Sequence, residues 1–198
     1  MKKVSAAIFF LFCFSFLHAQ TKLDSLKALG RDSLIKLAVK KINDPKFDPS
    51  NYDLITVKAD SNSLLVEFDL SIQFISSGAC YYNALTVSLY GSGGFGSITG
   101  DCDNVKYYHP SNAVKKSIEF VFDAINKSDE IGHVPDNKLD KGTTMTITEK
   151  PTHYYVEVSS WSTFSHYKVA KGSGKISEAA HKHYDRSGEG IDEFVEIK

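Results

Sequence analysis

"NSLLVEFDLSIQFIS", residues 62–76, is the stretch whose reading decides the fold. Its even positions Leu64, Val66, Phe68, Leu70, Ile72 and Phe74 are all apolar, and Glu67, Asp69, Ser71 and Gln73 stand between them. Successive side chains of a strand point to opposite faces. The alternation therefore predicts one long antiparallel strand with a buried face and a wet one.

The same phase recurs downstream. Laid without gaps, residues 54–69 and 144–159 match in pattern: Thr56 falls on Thr146, Val57 on Ile147, Val66 on Val156 and Glu67 on Glu157. Each stretch reads as strand, tight turn, strand, with turns at Asp60-Ser61-Asn62 and Lys150-Pro151-Thr152. A third strand follows each, at 82–90 and 164–170. An amphipathic helix precedes each, carrying Leu34, Ile35, Ala38, Val39 and Ile42 in one case and Val114, Ile118, Val121, Phe122 and Ile125 in the other. Asp32 or Ser33 is placed to cap the first helix, Ser111 or Asn112 the second. The expected fold class is α+β: two similar units, each a helix followed by a three-stranded antiparallel meander, with the helices packed on one sheet face. The units would occupy residues 21–110 and 111–198. The alternative is a plain α+β meander that happens to use two helices.

The start of the chain has a different character. Lys2 and Lys3 precede an apolar run from Ala6 to Leu17, and His18-Ala19-Gln20 gives a small-residue exit. This is the pattern of an export signal over residues 1–20, with a periplasmic or extracellular destination expected. Cys13 lacks the preceding small residue of a lipid-anchored cysteine. No later segment is apolar enough to span a bilayer. Removing Lys2 and Lys3 takes the formal charge from −1 to −3, so the remaining chain is mildly acidic and has no basic stripe. That argues against a nucleic-acid partner. Cys80 and Cys102 are then the remaining cysteines, and an even pair in an exported chain predicts one disulfide, two free thiols being the alternative.

Candidate chemistry is sparse. "GSGGFG" (91–96) fits a dinucleotide fingerprint, but the following "SITGDCDNV" does not open a helix, so it reads as a hairpin turn and no cofactor is expected. Asp185, Ser187, Glu189, Gly190 and Glu196 fall at calcium-loop positions, yet Asp192 takes an apolar position and no exiting helix follows. His181 and His183 would share one face of a strand, with Asp185, His166 or His153 as a third ligand that the sequence does not place. The tail is read as solvated rather than as a metal site. Neither a nucleophile elbow nor a zinc-protease motif occurs. Glu67 and Glu157 recur at matching positions and read as strand charges, with a paired-carboxylate site as the rival. The doublets Tyr81-Tyr82, Tyr107-Tyr108 and Tyr154-Tyr155 each put one ring on either face, and with Trp161 they form the candidate binding surface.

Tyr155-Val156-Glu157-Val158, Tyr167-Lys168-Val169 and Gly174-Lys175-Ile176 resemble the hairpin of PepSY-type domains, small exported modules that share a helix-over-sheet plan with cystatins. The resemblance covers about twenty-five residues, and Ala170-Lys171 departs from the acidic residue usual before that turn. It implies an extracytoplasmic binding module, one that could restrain a peptidase. The expected function is a non-enzymatic module for a peptide, protein or glycan. An inhibitor of a secreted peptidase and a small enzyme with a pocket between sheet and helices are its rivals.

Overall fold

The structure is a computed structural model that describes residues 22–100, 102–128, 139, 142–160, 163–184, 190 and 191. The stretch expected to be an export signal, Trp161, Asp185 and most of residues 126–143, the polar stretch between the second helix and the strand that follows it, lie outside the described residues.

Among the described residues, two longer helices and eleven strands follow in order, after a short helical stretch at 22–27 and with a 3-10 turn at Pro49–Asn51. They are α1 (Arg31–Ile42), β1 (Leu54–Ala59), β2 (Leu64–Asp69), β3 (Ile72–Ile75), β4 (Tyr81–Tyr90), β5 (Gly96–Thr99), β6 (Lys106–Tyr107), α2 (Asn112–Asn126), β7 (Thr144–Glu149), β8 (His153–Ser159), β9 (Thr163–Ala170), β10 (Ile176–Tyr184) and β11 (Gly190–Ile191). The Ser111 side chain caps α2 by accepting from Val114 N at 3.3 Å. α1 starts ahead of its expected cap. Gly30 occupies the cap position with no side-chain bond, and Asn43 closes the helix in the left-handed conformation.

The expected α+β plan of two helix-plus-meander units is incorrect. The chain is mostly β, in two mixed sheets. One sheet runs β1-β2-β4-β5, with β6 pairing parallel to β4. The other runs β11-β10-β9-β8-β7-β3, with β3 parallel to β7.

The correction originates within residues 62–76. The single strand expected there breaks at Leu70–Ser71, and its two parts join different sheets. Ser71 N donates to Asp53 Oδ1 at 2.7 Å, and Ser71 Oγ bonds Asp53 Oδ2. The amide that would continue the first ladder is thus taken by a side chain. Ser71 O instead accepts from Met145 N at 2.7 Å, which starts the pairing with β7. The alternation survives the break. Leu64, Val66, Phe68 and Leu70 enter one core and Phe74 enters another.

The two hairpins do pair alike: Thr56 faces Glu67 and Val57 faces Val66, while Thr146 faces Glu157 and Ile147 faces Val156. Beyond the hairpins the halves diverge. β8 returns directly into β9, whereas β2 is followed by the excursion through β3 before β4 comes back.

Each sheet has its own core. Leu34 and Ala38 of α1 pack with Leu23, Phe47, Tyr52, Leu64, Val66, Phe68, Leu70, Tyr81 and Tyr108. Val121, Phe122, Ala124 and Ile125 of α2 pack with Phe74, Met145, Ile147, Tyr154, Val156, Tyr167 and Val169. A fully buried side chain of this kind contributes roughly 1.5–3 kcal/mol. Tyr52 ties its loop to the first sheet, donating to Tyr82 O at 3.2 Å and accepting from Tyr108 N at 3.4 Å. Burial pushes its hydroxyl up to about 12.

The Cys80–Cys102 disulfide is present, with Cα atoms 6.3 Å apart, and closes the open end of the β4–β5 hairpin. At Gly100 (φ +96) an added Cβ would stand 2.0 Å from Ala79 O, so only glycine fits beside that bridge. Among the described residues no helix is long and apolar enough to cross a membrane.

Candidate functional site

The tyrosine doublets divide between buried and half-buried positions. Tyr81 is buried, donates to Phe74 O at 3.0 Å and lies 4.7 Å from the Tyr108 ring. It therefore bonds the start of β4 to the end of β3. Tyr82 is half-buried beside Tyr107 at 5.8 Å. Tyr154 is buried, donates to Ser117 Oγ at 3.0 Å and carries Lys171 Nζ 5.0 Å over its ring. Lys171 also pairs with Glu149 at 2.7 Å.

Tyr155 lies on the face of β8 opposite Tyr154 and Val156. Its ring stacks 5.8 Å from His166, which in turn meets Phe164 edge-on at 6.3 Å. All three side chains are half-buried. This row stands on the side of the six-stranded sheet away from the α2 core, because β8 and β9 send Tyr154, Val156, Tyr167 and Val169 to α2. Thr146 and Glu157 share the outer side by register, Glu157 lying opposite His166. Sequence alternation marks Tyr155, but only the β8–β9 register shows that His166 and Phe164 join it.

Glu67 and Glu157 fall in different sheets, and Glu67 is held 2.6 Å from Lys58 Nζ. Alternate positions 181 and 183 of β10 pair with Ser165 and Thr163, whereas His166 pairs with Ala180 on the other side of the ladder. His153 heads β8, its Nδ1 3.2 Å from Thr152 Oγ1. Among the described residues no group of three or more His, Cys, Asp or Glu side chains is arranged to hold a metal ion. The residues that carry the PepSY resemblance fall on β8, on β9, in the β9–β10 turn and at the start of β10.

A second feature was not visible in the sequence. Where β2 leaves the first sheet and β3 enters the second, a cleft of about 370 Å³ opens, lined by Asp53, Asp69, Ser71, Gln73, Asn83 and Thr144 among others. Burial, with the negative charge of Glu67, raises the Asp69 carboxyl above its ordinary value; Lys58 opposes this and Asp53 adds to it. Gln73 Oε1 accepts from Asn83 Nδ2 at 3.2 Å and from Thr99 Oγ1 at 3.1 Å. A separate groove of about 350 Å³ lies between the end of α2 and the β9–β10 turn, with Phe120, Ala124 and Ile176 in its wall and Lys127 and Lys175 at its rim.

No family model, no curated protein and no solved structure matches the chain.

Proposed function

We propose that the protein is an exported binding module that meets a protein or peptide ligand on the outer side of its six-stranded sheet. The observation that carries this reading is the Tyr155–His166–Phe164 row. The rings stand side by side across two adjacent strands, and Glu157 and Thr146 take neighbouring register positions on the same side. Tyrosine in such a setting supplies apolar area at low rotamer cost together with a hydrogen-bonding tip, a common composition for an interface centre. A glycan would call for open ring faces, and here Tyr155 and His166 cover part of each other's face. That places glycans second.

The test is display screening of peptides, with a glycan array in parallel, against residues 21–198. Each captured ligand is then re-measured with Tyr155→Ala and His166→Ala. A loss of about thirtyfold or more is expected for Tyr155→Ala, the size of an interface centre. Equal capture by both variants refutes the assignment of this face.

A further inference from the structure

Edge strands expose unpaired backbone groups, and folded proteins cover or guard them. Two edges here are guarded. On β1, Arg31 Nη2 donates to Ile55 O at 2.8 Å, Lys27 Nζ donates to Asp60 O just past the strand at 2.8 Å, and Lys58 adds a charge. On β3, the Tyr81 hydroxyl donates to Phe74 O at 3.0 Å. β5 ends the first sheet on the side away from β1, and its sequence Gly96-Ser97-Ile98-Thr99 carries neither charge nor proline. Thr86 N donates to Phe95 O at 2.8 Å, and Ser97 and Thr99 lie opposite Ala84 and Tyr81. Backbone groups alternate in direction along a strand, so those of Gly96 and Ile98 turn away from β4. No described residue bonds to them.

Apolar surface flanks this row. Ile98 is 45% exposed, and Phe95, one residue before the strand, is 66% exposed. Ile98 lies opposite Tyr82. An added Cβ on Gly96 would stand 2.7 Å from the Tyr82 ring, so the missing side chain lets that ring lie against β5. The Cys80–Cys102 bridge and the close approach of Gly100 to Ala79 O pin the far end of the strand. A ligand therefore meets an edge that is already ordered.

We propose that β5 is a docking edge for an extended segment of a partner polypeptide, which joins the first sheet as a further strand. A strand presents N–H and C=O groups at the spacing that Gly96 and Ile98 leave open. The segment that fits carries a β-branched or aromatic residue where it meets Ile98 and Tyr82. A second copy of the chain fits less well, because a β5–β5 contact is confined to four residues on each side, short of the about 1,200 Å² that holds two folded bodies together. A free segment has no folded body to hold in place. The edge lies in the other sheet from the Tyr155 face, and neither proposal depends on the other.

The test uses residues 21–198 and an acetylated Thr-Val-Thr-Val-Thr-Val amide as the probe, followed by ¹H–¹⁵N spectra. In the free protein the amide protons of Gly96 and Ile98 should exchange rapidly with solvent and those of Ser97 and Thr99 slowly. With the probe, saturable shifts are expected at Gly96 and Ile98, together with a slowing of their exchange by about tenfold or more. The fully N-methylated peptide should produce neither. Ile98→Pro removes an outward N–H that β4 does not use, so the fold tolerates it and the probe should bind about tenfold or more weakly. Slow exchange at Gly96 and Ile98 in the free protein would show the edge already covered, and protection that grows with protein concentration would assign it to a second copy. Either result, equal shifts with the N-methylated peptide, no shifts with the probe, or undiminished binding by Ile98→Pro would overturn the proposal.

Discussion

Phe74→Ala tests the strand break directly. Phe74 is 4% exposed, and its ring lies 6.1 Å from Tyr154 in the core beneath α2. Truncating a buried phenylalanine removes its transfer free energy and leaves a cavity, together about 3–5 kcal/mol. That is a large share of the roughly 5–15 kcal/mol that holds a domain of this size together. With a urea slope of about 2 kcal/mol/M, the midpoint should fall by roughly 2 M. The paired control is Ile75→Ala. Ile75 neighbours Phe74 on the opposite side of β3 and is half-buried, so its loss should cost about 1 kcal/mol. Urea titration by circular dichroism, on residues 21–198 with the disulfide intact, measures both. A Phe74→Ala cost near that of Ile75→Ala would refute the placement of β3 against the second core.

Three further outcomes are expected. Cys80→Ser with Cys102→Ser should cost about 3 kcal/mol, since the bridge closes a loop with a sequence separation of 22 residues; urea titration without reductant checks this. Gly100→Ala should destabilise by several kcal/mol even with the bridge formed, because the new methyl meets Ala79 O; a Tm equal to the native one would contradict it. The third concerns pH. The folded Asp69 carboxyl is raised, so the native state binds its proton more tightly than the unfolded chain does. Stability from this group is therefore present below the unfolded value and is lost as pH rises through the folded one. Asp69→Asn should flatten that part of the stability profile and raise the Tm at pH 7. A lowered Tm at pH 7 would reverse the sign of the argument.

The local chemistry was legible in the sequence, and the long-range pairing was not. The period-two runs located β1, β2, β7 and β8, and the ungapped match of 54–69 with 144–159 carried the correct hairpin registers. Helix periodicity located both helices, and Ser111 was among the named caps. The break at Leu70–Ser71 left no trace, because Ile72 and Phe74 continue the same alternation into a different core. Its cause is a contact between Asp53 and Ser71, eighteen residues apart, and a parallel pairing with a strand some seventy residues downstream. Neither periodicity nor turn chemistry reports contacts at that separation. The cleft where β2 and β3 part was hidden for the same reason, since Ser71, Gln73 and Thr144 join Asp53, Asp69 and Asn83 only once β3 has changed sheets. On the outer face, Tyr155 was legible by parity, but its ring neighbours depended on the β8–β9 register.

The exchange of β3 also limits how the polypeptide can be divided. Ser77 and Gly78 form an exposed bend directly after β3, an inviting place to cut the backbone or open new termini. A break there yields an upstream piece ending in the strand that borders β7 of the downstream piece. Co-expressed, the pieces should find each other through that donated strand. Made alone, the downstream piece presents β7 as an unprotected edge and should self-associate.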